Sequence, residues 1–294
     1  MPGIDIQNIK TGERQQWLQH AIAPRPIAFA STIDKDGNVN LSPFSFFNMF
    51  SAAPPIVIFS PARRVRDNTT KHTLQNILEV PEVVIHICDY EMVQQVSLAS
   101  CEFPKGTNEF IKSGFTPEEA KLVKPPLVKE AKVKLECKVR EVKSLGDTAG
   151  AGQLIIAEVL YMHVDETILN ETKNMIDQRK FNQVARLGGD WYCVVNEHNL
   201  FQVEKPNTQI GIGVDAIPTS IKNSKILTGN HLGMLGNVHQ FPDIDPTFED
   251  EKLKSIFQYY STNPEEMEKE LHAYAKKLLD TGKVSDAWQV LLTL

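Results

Sequence analysis

Between Ser42 and Ser51 the chain reads Ser-Pro-Phe-Ser-Phe-Phe-Asn-Met-Phe-Ser. Phe44, Phe46, Phe47 and Phe50 are interleaved there with Ser45, Asn48 and Ser51. Packing alone does not call for hydroxyls and an amide among so many rings. A planar ligand with a polar edge does, because apolar side chains cover its face while hydroxyl, amide and backbone groups meet its rim. A buried strand with a polar kink uses the same composition, and the residues alone leave the two readings open. A second cluster runs from Arg63 to Thr73. Arg63, Arg64 and Arg66 precede Asp67, Asn68, Thr69 and Thr70, any of which can cap a helix carrying Leu74, Ile77 and Leu78. Free N–H groups at a helix start, beside hydroxyls and cations, make a natural phosphate site. A plain capped helix with its basic neighbours in water is the alternative. Arg25 sits between Pro24 and Pro26, which hold the chain extended, and it reaches either an anion or a carboxylate and solvent.

The elements that must position these groups read mostly as strands. Ile27 to Ile33 predicts a strand, Asp34-Lys35-Asp36-Gly37 a hairpin turn, and Val39 to Leu41 a return strand broken at Ser42-Pro43. Ile56 to Ser60 and Val83 to Cys88 are short apolar strands, with a short helix over Tyr90 to Ala99. From Ala131 to Val142 the chain alternates: Ala131, Val133, Leu135, Cys137 and Val139 face a core, while Lys132, Lys134, Glu136, Lys138 and Arg140 face water. A Gly/Ala loop, Gly146 to Gly152, leads to a strand from Leu154 to Met162. His86 and Cys88 share a strand face, and a satisfied buried histidine is a better reading there than a metal site.

The tail differs in texture. Gly211, Gly213 and Ala216 fit the dinucleotide pattern G-x-G-x-x-A, but no long strand precedes them and Pro218 blocks the required helix. One helix is predicted to start at Asp245-Pro246 and carry Phe248, Leu253, Ile256 and Phe257. A second starts near Thr262 or Asn263 with Met267, Leu271, Tyr274 and Leu278 at helical spacing, and a last apolar segment covers Val284 to Leu294.

Length and composition set the class. A chain of 294 residues, 41% hydrophobic and 23% charged, is a globular protein of one large or two modest domains. A net charge of -6 argues against general nucleic-acid binding. Cys88, Cys101, Cys137 and Cys193 are scattered and suit reduced thiols better than disulfides or zinc. The N-terminus has no signal-peptide pattern, and no apolar run approaches the roughly 18 residues of a membrane span. The expectation is a soluble, cytoplasmic protein that uses neither membrane nor nucleic acid.

The ordered segments Pro-Arg-Pro-Ile-Ala-Phe-Ala-Ser-Thr (24–32), Leu-Ser-Pro-Phe-Ser-Phe-Phe-Asn (41–48) and Pro-Pro-Ile-Val-Ile-Phe-Ser (54–60) resemble the FMN-binding split-barrel, flavin reductase-like family. The likeness continues in Lys71-His72-Thr73-Leu74-Gln75-Asn76, close to the family's Lys-Asp-Thr-Leu-x-Asn with His72 replacing the usual Asp. It continues again in Phe103 to Phe110, in His163-Val164-Asp165 and in Arg186-Leu187-Gly188-Gly189, spanning roughly Pro24 to Tyr192. The resemblance implies a mainly β fold: a split barrel over residues 1–204, with a partly helical extension over 205–294 that packs on the barrel or on a partner subunit. It implies a homodimer with FMN near its interface. Ser31, Thr32, Lys71 and Thr73 would then meet the phosphate and ribityl chain. Ser45, Phe46, Phe47 and Asn48 would meet the ring, with His163 nearby. No residue is assigned as an obligatory acid or base. The implied activity is an NAD(P)H-dependent flavin reductase, or a reductase of a small acceptor. The alternatives are an electron carrier of the flavoredoxin kind serving a redox partner protein, and a flavin-binding protein with a partner-binding tail.

Overall fold

The computed structural model describes residues 3–206 and 209–293. Its chain divides into two compact units, Met1–Phe201 and Gln202–Leu294. In the first unit, helix α1 (Thr11–Ala21) leads into strands β1 (Arg25–Pro26), β2 (Ala28–Ile33), β3 (Val39–Phe44), β4 (Phe47–Ala52) and β5 (Pro55–Phe59). There follow α2 (His72–Glu79), β6 (Glu82–Ile87), α3 (Val93–Leu98), α4 (Glu109–Ser113) and the short strands β7 (Pro117–Glu118) and β8 (Leu127–Val128). Two long strands, β9 (Val133–Ser144) and β10 (Gln153–Val164), precede β11 (Gln183–Arg186) and β12 (Tyr192–Val195). The fold is mainly β.

Seven strands form one antiparallel sheet in the order β3-β2-β6-β9-β10-β5-β4. Period-two alternation sorts its side chains. Ala28 and Ala30 face a core with Val57, Phe59, Ile85, Leu135 and Ile155. Ile27 and Phe29 face the other way, into a second cluster with Leu41, Met92, Phe110 and Phe115 under the α3–α4 segment. β2 is therefore covered on both faces, which is why it reads as nearly continuous apolar text. His86 is fully buried between these layers. Its Nδ1 lies 2.7 Å from Phe29 O, its Nε2 accepts from Val128 N at 2.9 Å, and burial lowers its pKa to about 3. Among the described residues no group of three or more His, Cys, Asp or Glu is placed to hold a metal, and no helix is long and apolar enough to cross a membrane.

The expected break at Ser42-Pro43 does not occur. β3 runs on to Phe44, with Pro43 opposite Phe29. It is an edge strand, where a residue without an N–H leaves no ladder bond unmade. The second departure is Glu136. Strand alternation places it on the water side, yet it is fully buried because the 121–122 segment folds over it.

The second unit holds α5 (Thr219–Lys222), α6 (Gly229–Gly236), α7 (Glu251–Tyr260), α8 (Pro264–Asp280) and α9 (Val284–Leu291) around its own core of Leu235, Ile256, Leu271 and Trp288. Asp245 starts no helix. Its carboxylate instead accepts from Thr247 N in a turn, and Asp250 caps α7 by accepting from Leu253 N. The glycines near 211 serve close packing: a Cβ on Gly211 would lie 2.6 Å from Gly236 O.

Candidate functional site

The basic run lies on a loop whose cations are individually tied. Arg63 donates from Nε to Asn68 Oδ1 at 2.7 Å and from Nη2 to Asn68 O at 2.6 Å. Asn68 sits at φ 56°, a left-handed conformation that Asn tolerates better than most residues. Arg64 donates from Nη1 to Thr69 Oγ1 at 3.0 Å and Thr70 O at 2.7 Å, and from Nε to Glu102 at 2.8 Å. Arg66 reaches Glu102 at 2.7 Å and Asp67 at 3.1 Å. The helix cap expected of Asp67 to Thr70 is not made by them. α2 begins after Lys71, and Asp67 instead accepts from Thr69 N and Oγ1, which with Arg66 lowers its pKa to about 2. Lys71 is partly desolvated and stands near Arg64, and both effects lower its pKa.

These side chains line a cavity of about 840 Å³. Its walls are one face of α1, the β3–β4 turn, the 60–71 loop and the 145–151 loop. Arg14, Arg25, Arg63, Arg64, Arg66 and Lys71 contribute cations to it, and Glu102 is the one acidic side chain on its wall among the described residues. Pro43, Phe44, Phe46, Val65 and Leu145 give an apolar surface, with the Ser45 hydroxyl among them. Gly150 lets the 145–151 loop approach α1. It sits at φ 85°, and a Cβ there would lie 2.9 Å from Thr11 Cγ2.

Arg25 is structural as well as cavity-lining. Its guanidinium donates to Gln19 O at 2.5 Å, Ile22 O at 2.8 Å and Leu187 O at 2.8 Å, fastening the end of α1 to the chain beyond β11. Burial and the neighbouring Arg186 lower its pKa, and its Nε is buried without an acceptor.

The residues predicted from sequence are not all brought together. Ser45, Phe46 and Lys71 line the cavity. Ser31, Thr32 and Thr73 are fully buried and committed elsewhere: Ser31 Oγ donates to Pro126 O at 2.6 Å, Thr32 Oγ1 accepts from Asn76 at 3.3 Å, and Thr73 Oγ1 donates to Asn40 at 2.6 Å. Phe47 packs on the barrel core, and Asn48 is exposed on β4, accepting from Met49 N. His163 stands off the cavity wall, with its Nε2 2.6 Å from Glu136. Arg63, Arg64 and Arg66 were visible as basic text. By contrast, the contributions of Arg14, Glu102 and the 145–151 loop carry no local sequence signal, because they reach the cavity only through tertiary folding.

Several known proteins share this architecture. Residues 20–185 match the family model described as "Flavin reductase like domain". An uncharacterized protein of Aquifex aeolicus is 41% identical over 171 residues, 58% of this chain and 84% of that protein. Nitrilotriacetate monooxygenase component B from Bacillus cereus superposes with a TM-score of 0.64 at 29% identity, covering 69% of this chain and 98% of its own. A Shewanella frigidimarina structure described as having a split barrel domain superposes with a TM-score of 0.58 at 24% identity, covering 69% and 100%.

The Glu136–His163 pair yields a pH prediction. Burial opposes the Glu136 charge, but N–H groups of Lys121 at 2.8 Å and Leu122 at 2.6 Å, with His163, more than offset it and lower its pKa below the ordinary 4.5. A carboxylate with a depressed folded pKa contributes stability above its unfolded pKa and loses it as pH falls through the folded one. Glu136→Gln gives up one of the two backbone hydrogen bonds that the buried carboxylate accepts and should cost about 1–3 kcal/mol at pH 7. Urea denaturation midpoints of both proteins at neutral pH and below 4.5 should show the gap narrowing with acid. A gap that widens contradicts the assignment.

Proposed function

Because this chain belongs to the flavin reductase-like domain family, we propose that its barrel binds flavin mononucleotide in the cavity beside α1. In this reading it acts as an NAD(P)H-dependent reductase of flavin or of a small acceptor. The observation that carries this reading is the pairing, in one cavity, of a tied cationic loop with an apolar wall edged by a hydroxyl. The volume of about 840 Å³ lies within the roughly 300–1,000 Å³ range of small-molecule sites. The donor set suits the ligand. Arg63 keeps its Nη1 edge and Arg64 its Nη2 free of protein acceptors, so each retains N–H groups that a phosphate can use. Lys71 adds a point charge from the start of α2. Pro43, Phe44 and Phe46 offer surface to the ring, and Ser45 a hydroxyl to its rim.

Bound there, the flavin would supply the hydride or electron chemistry itself. The chain's share is to grip the phosphate, cover ring surface and limit water. The internal hydrogen bonds of Ser31, Thr32 and Thr73 move the proposed phosphate grip onto Arg63, Arg64 and Lys71. The likeness to a monooxygenase component supports an oxidoreductase role. Mixing the flavin-loaded protein anaerobically with NADH or NADPH should bleach its yellow absorbance at a turnover-competent rate. Persistence of the colour with both nucleotides contradicts the reductase reading, and failure to take up FMN contradicts the flavin reading.

A homodimer belongs to the same proposal. β4 is an edge strand of the sheet, and its Met49 and Phe50 are 62% and 64% exposed. Unpaired backbone beside exposed apolar side chains is a surface that a second copy can cover. Sedimentation should report a two-chain particle that Phe50→Glu converts to single chains; a monomeric native protein contradicts it.

A further inference from the structure

Glu102 stands out in a cavity whose other charged side chains, among the described residues, are all cations. It follows α3 in the Cys101–Phe103 loop, away in sequence from the arginines it meets. One carboxylate oxygen lies 2.8 Å from Arg64 Nε and 3.8 Å from Lys71 Nζ, and the other lies 2.7 Å from Arg66 Nη2. A single anion thus bridges three cations, much as a phosphate would. Hydrogen bonding to Arg64 and Arg66 holds the Glu102 carboxyl below the usual range, so it is charged at neutral pH.

Two roles are open to such a carboxylate, and the donor count separates them. If Glu102 were needed to place Arg64, its loss would loosen the cation. Arg64, however, is held independently through Nη1 by Thr69 Oγ1 and Thr70 O, and Arg66 retains Asp67 at 3.1 Å. The Glu102 side chain is 40% exposed and makes no other hydrogen bond among those described, so it is free to swing away. What its removal changes most is the charge that an incoming anion meets.

We propose that Glu102 is a built-in competitor for the ligand's phosphate: in the free protein it holds Arg64 and Lys71 of the proposed phosphate grip, together with Arg66, and it yields them on binding. The inference rests on the reading of the cavity as a flavin mononucleotide site. Its consequence is an exchangeable flavin. A phosphate that must replace an existing ion pair gains less than one meeting bare cations. Free inorganic anions, which bring no ring to bury, are disfavoured most.

Titrations at fixed ionic strength test this on the whole protein, using calorimetry and flavin fluorescence. The proteins are the native chain, Glu102→Gln, and Glu141→Gln as an exposed strand control for net charge. Glu102→Gln should bind FMN roughly tenfold more tightly, bind inorganic phosphate more tightly as well, and leave riboflavin unchanged. Glu141→Gln should match the native chain. Glu102→Ala should shift FMN and phosphate in the same direction as Glu102→Gln. Unchanged or weaker binding of FMN and phosphate by Glu102→Gln overturns the proposal, as does an equal tightening of riboflavin. If no variant binds either flavin while Glu102→Gln still tightens on phosphate, the competitor stands and the flavin reading falls.

Discussion

Gathering like charges is the constraint on which this site depends. Unit charges a few ångströms apart repel by several kcal/mol at the effective dielectric of a protein surface, about 4 kcal/mol at 4 Å. The 60–71 loop meets that repulsion with acceptors: Asn68 for Arg63, Thr69 and Thr70 for Arg64, Asp67 for Arg66, and Glu102 in direct contact with Arg64 and Arg66. Burial first and Arg64 next lower the pKa of Lys71, while Glu102 and Asp67 act against them. A loop arranged this way holds Arg63 and Arg64 in place through bonds within the protein.

The barrel supplies the rigid frame for that loop. β5 delivers the chain to Ser60 from the core, where Phe59 is fully buried, and Ser60 Oγ accepts from Gln153 N at 3.0 Å at the start of β10. Backbone bonds join Arg63 to Ala151 and Gly150, so the 145–151 wall and the cationic loop are one hydrogen-bonded unit. Arg25 closes the opposite wall. Its carbonyl contacts at Gln19, Ile22 and Leu187 hold α1, which buries no residue of its own, against the strand ends. Without that clamp, α1 has little apolar surface with which to stay in place.

Single strands were legible in the sequence as apolar runs or, from 131 to 142, as alternation, and the split barrel through motifs that resemble the family in order; the fit of residues 20–185 to the flavin reductase-like family agrees with it. The site was legible only in part. Ser45 and Phe46 stood out by composition and Lys71 through the family resemblance, and all three line the cavity. Ser31, Thr32 and Thr73 also carry hydroxyls, but these are used inside the chain, a choice made by partners 33 to 95 residues away. Glu136 shows the same limit: strand alternation cannot foresee that a distant segment will bury its polar face. At Pro43 the local rule for proline yielded to an edge position that sheet order alone reveals.

The central claim is that the 60–71 cations grip a flavin's phosphate while other walls hold its ring. Comparing FMN and riboflavin affinities for the native protein and for Arg64→Ala combined with Lys71→Ala tests it most directly. The account predicts a loss of about a hundredfold for FMN, two charge-assisted contacts at roughly 1.5 kcal/mol each, with riboflavin nearly unaffected. Equal losses for the two flavins, or none for FMN, would contradict it.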